Sequence, residues 1–138
     1  MNREIIFKEK RKDNGEWVEG YYRADPDLDT HYICGWNYYA SENGLEREPF
    51  EEEINPDTLC QYTGFTDKNG GKIWENDILV EKHKGIVTMK YRVVFDLEEG
   101  AWMLETKSGA RYGIGAVNQR HFEVCGNIFD NADLLEVK

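Results

Sequence analysis

Residues 61–80 read Gln61-Tyr62-Thr63-Gly64-Phe65-Thr66-Asp67-Lys68-Asn69-Gly70-Gly71-Lys72-Ile73-Trp74-Glu75-Asn76-Asp77-Ile78-Leu79-Val80. An aromatic and β-branched run, a polar cluster ending in glycine, and a second apolar run describe a strand, a tight turn and a strand that continues into a third. Asn69-Gly70 supplies residues that tolerate positive φ, so the chain folds back on itself there. Tyr62, Phe65, Ile73, Trp74, Ile78 and Val80 supply the buried side. This stretch reads as a folding nucleus and names no chemistry.

The same punctuation recurs on either side. Ile5, Ile6 and Phe7 open a first strand within residues 3–9, Asn14-Gly15 turns the chain, and Trp17, Val18, Tyr21 and Tyr22 return it. Asp25-Pro26-Asp27-Leu28-Asp29-Thr30 is a proline-containing turn. Its alternating aspartates suggest a calcium loop, but that loop wants Gly at its sixth position and Glu at its twelfth, where Thr30 and Trp36 stand. Residues 31–40 form an aromatic strand, with a bulge expected at Cys34-Gly35. Residues 45–56 are polar and acidic and read as a loop or short edge segment. Adjacent side chains of Glu51-Glu52-Glu53 do not converge on a strand or helix, which makes them a solvated face rather than a catalytic cluster.

Beyond Val80, strands are expected at 86–95, 101–106, 111–117 and 121–129, separated by turns, with a capped helical turn at 130–135. Turn signals every eight to twelve residues fit a small barrel or sandwich. The fold expected is mainly β, α+β at most: antiparallel hairpins, little helix, and a small SH3-like or other partly open barrel in the C-terminal half. Residues 1–59 form a hairpin region with an acidic loop and 60–138 the barrel-like region, together one compact unit.

The chain has 138 residues, 40% of them hydrophobic and 13% aromatic, enough to build a core. Its formal charge of −10 is uneven. Residues 24–57 hold ten acids against one base, Arg47, so that about a quarter of the chain carries −9. Such a surface does not gather nucleic-acid phosphates broadly. It suits solubility, a basic protein partner, or imitation of nucleic-acid charge that blocks a host DNA-binding protein. A nucleic-acid role would rest on residues 82–92, with Lys82, Lys84, Lys90 and Arg92 around Tyr91 as a stacking ring. Cys34, Cys60 and Cys125 lack metal-ligand spacing and read as reduced, buried thiols of a cytoplasmic protein. No long apolar run or N-terminal signal region is seen. The three histidines, His31, His83 and His121, fall in no catalytic signature. No enzyme, metal or cofactor is expected. The aromatic run Tyr32, Trp36, Tyr38 and Tyr39 is richer than a small core needs and marks a candidate interface, since aromatics concentrate at interface centres.

Four stretches together resemble the YopX family: Arg3-Glu4-Ile5-Ile6-Phe7; Arg11 to Tyr21; Gln61-Tyr62-Thr63-Gly64 through Asp67, Asn69, Gly70 and Ile73 to Asp77-Ile78; and Glu123-Val124-Cys125-Gly126-Asn127-Ile128-Phe129 with Leu134-Leu135. The resemblance covers nearly the whole chain. It implies a mainly β, oligomeric protein of phage or prophage origin, working in a bacterial cytoplasm, in a family of unassigned molecular role with no catalytic residues to carry over. Two departures stand out. Asn76-Asp77 replaces a usual Gly-Asp, and Lys8-Glu9-Lys10 stands where Arg-Gly-Lys is common.

Overall fold

The structure, a computed structural model, describes residues 3–116 and 121–136. The chain is mainly β and divides into two compact units, residues 1–61 and 62–138. In the first unit, strands β1 (Phe7–Lys10), β2 (Trp17–Asp25), β3 (Thr30–Ser41) and β4 (Gly44–Glu53) form an antiparallel sheet in the order β4-β3-β2-β1. A 3-10 turn at Pro56–Thr58 leads into β5 (Cys60–Thr66), whose first residues pair with β1 through Phe7↔Gln61 and Lys8↔Cys60. Ile6, Ile33, Ile54 and Cys60 are its buried apolar side chains.

The β2 strand divides its length between two partners. Trp17 to Gly20 pair with β1, and Tyr21 to Asp25 pair with β3 from Cys34 to Thr30. The change falls at Gly20, where a Cβ would lie 2.3 Å from the Cys34 carbonyl oxygen, so only glycine permits the approach. The β3–β4 ladder continues without β2, from Tyr32↔Glu53 to Ser41↔Gly44.

The second unit holds the rest of β5 with β6 (Lys72–Trp74), and a five-stranded antiparallel sheet in the order β10-β9-β8-β7-β11. Those strands are β7 (Asp77–His83), β8 (Ile86–Asp96), β9 (Ala101–Glu105), β10 (Arg111–Gly113) and β11 (Phe122–Asn127). A single turn of helix, α1 (Asp133–Glu136), follows. Period-two alternation along β8 turns Tyr91 and Val93 inward to meet Leu79, Leu104, Ile73, Ile114 and Phe122 in one cluster.

Several expectations change. Of the two readings of residues 45–56, loop or short edge segment, the loop fails: residues 45–53 are most of an edge strand, longer than expected at ten residues. The β3 ladder imposes that state on residues of weak strand propensity. No bulge interrupts Cys34-Gly35, because the β3–β4 register runs through both without a shift. What ends there is the pairing with β2. Of the three cysteines, all free, only Cys60 is buried, while Cys34 is half-buried and Cys125 exposed. Each Asn-Gly turn uses its glycine alone at positive φ, Gly15 at 72° and Gly70 at 80°. Val117, at the end of the strand expected over 111–117, lies outside the described residues, as do 118–120.

Candidate functional site

The motif residues of the central and closing stretches prove to be the wiring of the second unit. Asp67 Oδ1 accepts from the N–H groups of Asn69 (2.9 Å) and Gly71 (2.8 Å), closing the β5–β6 turn at Gly70, while Oδ2 accepts from Val124 N–H at 3.0 Å. One carboxylate therefore fastens the turn to β11. Thr63 Oγ1 donates to the Ile73 carbonyl (2.7 Å) and accepts from Phe65 N–H, bridging the irregular β5–β6 ladder beside Gly64 at φ 88°. Tyr62 stands opposite Trp74, next to Gln61 in the chain. The buried Asp77 accepts from Trp74 N–H at 2.8 Å and leads into the buried Ile78.

Asn76 adopts φ 70°, the left-handed conformation that the usual glycine would supply. Its carbonyl accepts from Ile128 N–H at 3.0 Å. Asn127 Oδ1 accepts from Phe129 and Asp130 N–H, and Gly126 leaves room for the Asn131 side chain, which a Cβ would meet at 2.5 Å. All thirteen of these residues have a place in backbone geometry or packing.

The candidate reactive groups do not gather. His31 shares a hydrogen bond with Tyr22 Oη through Nδ1 (2.6 Å), stacks on that ring, and faces Asp29 through Nε2 at 3.3 Å. This arrangement fastens the Asp25–Thr30 turn. His83 and His121 are exposed on separate segments. Partial desolvation pushes the Cys125 thiol above its ordinary range, which lowers its nucleophilicity at neutral pH. Among the described residues, no three His, Cys, Asp or Glu side chains converge as a metal ion would require.

The basic stretch 82–92 is largely engaged. Lys82 pairs with Glu123 (2.6 Å), Lys90 donates to the Leu134 carbonyl (2.9 Å), and Arg92 donates to Asn76 Oδ1 (3.0 Å). Tyr91 is 8% exposed and packs edge-on against Phe122, so it offers no face for a base to stack on. The acidic triplet is engaged as well. Glu51 pairs with Arg23, Glu52 with Arg11 and Glu53 with Lys12.

The aromatic run is different. Past Cys34, β3 and β4 continue as a two-stranded arm comprising residues 35–41 and 44–50. Period two sends Trp36, Tyr38 and Ala40 to one face, opposite Pro49, Arg47 and Leu45. That face is apolar apart from Arg47, whose guanidinium lies 3.9 Å over the Trp36 ring. Trp36 is 43% exposed, Tyr38 62% and Leu45 75%. The other face carries Tyr39 with Glu46 and Glu48. At the arm's root, Gly35 lies under the Phe50 ring, and a depression of about 400 Å³ opens between Tyr21, Trp36, Phe50 and Glu51.

Of the four expected interface residues, the structure sets Trp36, Tyr38 and Tyr39 on the arm. It leaves Tyr32 in the three-stranded part, capped by Arg23 at 4.3 Å. Leu45 and Pro49 complete the apolar face. Sequence reasoning missed them because their stretch reads as a loop. The only signal was a short alternation, Leu45, Arg47, Pro49.

Sequence reasoning marked Glu9 as a departure from a usual glycine and missed its burial. Its side chain is 0% exposed. Oε1 accepts from the Thr58 hydroxyl and from Thr58 N–H (3.1 Å), and Oε2 is buried without a partner. Desolvation raises its pKa from 4.5 to about 7, against the opposing effect of the Thr58 bonds.

The crystal structure of protein EF1440 from Enterococcus faecalis aligns with a TM-score of 0.61 over 97% of this chain and 99% of that one, at 20% identity, and so shares the fold. No curated protein matches the chain. No helix among the described residues is long and apolar enough to cross a membrane. The profile of the YopX protein matches residues 7–136, and the chain belongs to the YopX family.

Proposed function

We propose that this chain is a non-enzymatic accessory protein of phage or prophage origin. In this reading it acts in the bacterial cytoplasm as a self-assembling or protein-binding β module. One observation carries it: the arm of residues 35–50 exposes Trp36, Tyr38 and Leu45 together on one face. A two-stranded ribbon is marginally stable alone in water. Exposed aromatics on such a ribbon are worth keeping where a partner covers them.

The two other readings have less support. A nucleic-acid role lacks the stacking ring, since Tyr91 is buried. A charge mimic would need the acidic triplet free, and Glu51, Glu52 and Glu53 each face a base.

Size-exclusion chromatography with light scattering tests the self-assembling form. The expected mass is a multiple of the 16.1 kDa chain at micromolar concentration. A clean monomer there, together with no partner captured from a phage-infected host, refutes the proposal.

A further inference from the structure

The arm has two long edges, and they are not alike. Along the outer edge, β4 reads Gly44-Leu45-Glu46-Arg47-Glu48-Pro49-Phe50-Glu51. Pro49 has no N–H to donate, and it stands opposite Trp36. Trp36↔Pro49 is therefore a non-hydrogen-bonded pair, and Pro49 faces its missing donor outward. Antiparallel pairs alternate between bonded and non-bonded, so Tyr38↔Arg47 and Ala40↔Leu45 are non-bonded too. The outer edge is thus broken by proline and lined with acids, two devices that keep strand edges apart.

The inner edge, on the side that β2 leaves, is open. Tyr21↔Cys34 is the last β2–β3 pair. The alternation that turns Pro49 outward on β4 turns Trp36, Tyr38 and Ala40 outward on β3. Each presents an N–H and a C=O to that edge, and no strand pairs with it among the described residues. Residues 35–41, Gly-Trp-Asn-Tyr-Tyr-Ala-Ser, carry no charge. At about 3.3 Å per residue they offer about 23 Å of unblocked strand.

We propose that this inner edge pairs with the same edge of a second copy, antiparallel about a two-fold axis through Tyr38. This deepens the self-assembling reading above and rests on it. In that register Tyr38 faces the partner's Tyr38, and each Trp36 faces an Ala40, large against small. The outward groups of the three residues then form about six inter-chain hydrogen bonds, giving a four-stranded sheet in which β3 strands are central and β4 strands outermost.

Charge selects a second copy as the occupant. The chain carries −10 and repels itself over most of its surface. In the paired sheet the acids Glu46 and Glu48 of the two β4 strands lie three strand spacings apart, about 14 Å, beyond the roughly 8 Å Debye length at physiological salt. Pairing through β4 would instead set like charges directly opposite. The neutral edge is the one along which this chain can approach its copy.

The test is a cysteine at the axis. With Cys34 and Cys125 replaced by serine, Tyr38→Cys places two thiols in a hydrogen-bonded antiparallel pair. The Cα separation there is about 5.5 Å, inside the range a disulfide spans. Mild oxidation with oxidised glutathione is expected to convert most of this variant to a covalent dimer on a non-reducing gel. Leu45→Cys in the same background, about 20 Å from its copy once the four-residue offset along the strand is added to the three strand spacings, is expected to stay monomeric on that gel. Tyr38→Pro removes an outward N–H together with the phenol ring, and is expected to lower the mass by light scattering below that of Tyr38→Ala, which loses the ring alone, while circular dichroism keeps the β signal.

If the wild-type chain is an oligomer but Tyr38→Cys fails to cross-link and Tyr38→Pro leaves the mass unchanged, the register proposed here is wrong and the self-assembling reading survives. If the wild-type chain is a monomer, both fall. Cross-linking of Leu45→Cys as efficiently as Tyr38→Cys also overturns the register.

Discussion

Replacing Glu9 with glutamine should change how stability depends on pH. Glu9 lies inside the first unit with Oε1 bonded to Thr58 and Oε2 unpartnered, and burial lifts its pKa from 4.5 to about 7. The native state therefore holds a proton that the unfolded chain releases. Stability from this group is fully present below pH 4.5 and is lost as the pH rises through about 7. At 1.36 kcal/mol per pH unit, the upper bound on the loss is about 3 kcal/mol. Glu9→Gln keeps the shape and the acceptor for Thr58 but cannot ionise, so its profile should lack this loss.

Urea unfolding from pH 4.5 to 8, followed by tryptophan fluorescence, reads the difference between the two proteins and cancels other titrating groups. For a urea slope of about 1–3 kcal/mol per molar, the variant's midpoint should exceed the wild type's by about 1 M or more at pH 8. The two should lie close together at pH 4.5. Parallel profiles for the two proteins between pH 4.5 and 8 would refute the buried-proton argument.

Two further predictions probe the packing. Asp67→Ala removes the acceptor of three N–H groups, on Asn69, Gly71 and Val124, and should cost about 2–4 kcal/mol in chemical denaturation, with Asp67→Asn retaining part of the loss. Gly35→Ala sets a Cβ 2.7 Å from the Phe50 ring at the arm's root. It should cost about 1–3 kcal/mol, with the loss relieved in the double variant Gly35→Ala/Phe50→Leu.

The elements that were legible in the sequence are those whose cause is local. Gly15 and Gly70 mark their turns because positive φ is a property of the residue itself. The alternation of β8 marks its buried side because period two is written in the chain. Asn76 could be read as a stand-in for glycine for the same reason, and its φ of 70° agrees. Glu9 stood out as a departure from the usual glycine, but its burial was illegible because nothing in the charges of Lys8-Glu9-Lys10-Arg11-Lys12 sets it apart from its neighbours. The partner that receives it, Thr58, lies forty-nine residues away. Residues 45–53 were illegible for a related reason. Glutamates and a proline are poor strand formers, and only the neighbouring β3 ladder makes a strand of them.

The arm lies between these cases. Its aromatic excess was visible, and so was the acidity around it, but neither says which residues share a face or which edge is open. Both follow from the single position at which β2 leaves β3. That departure is fixed by a close approach at Gly20, some fifteen residues before the arm's first aromatic. The sequence around Gly20 gives no sign of it, because a glycine needed for lack of space looks the same as one needed for a turn. Once β2 leaves at Cys34, Pro49 determines the rest. It fixes the alternation of bonded pairs, blocks the outer edge, and turns the donors of Trp36, Tyr38 and Ala40 toward the neutral one. A residue of poor strand propensity is thus, in the folded chain, the one that decides which edge of that strand pair is free.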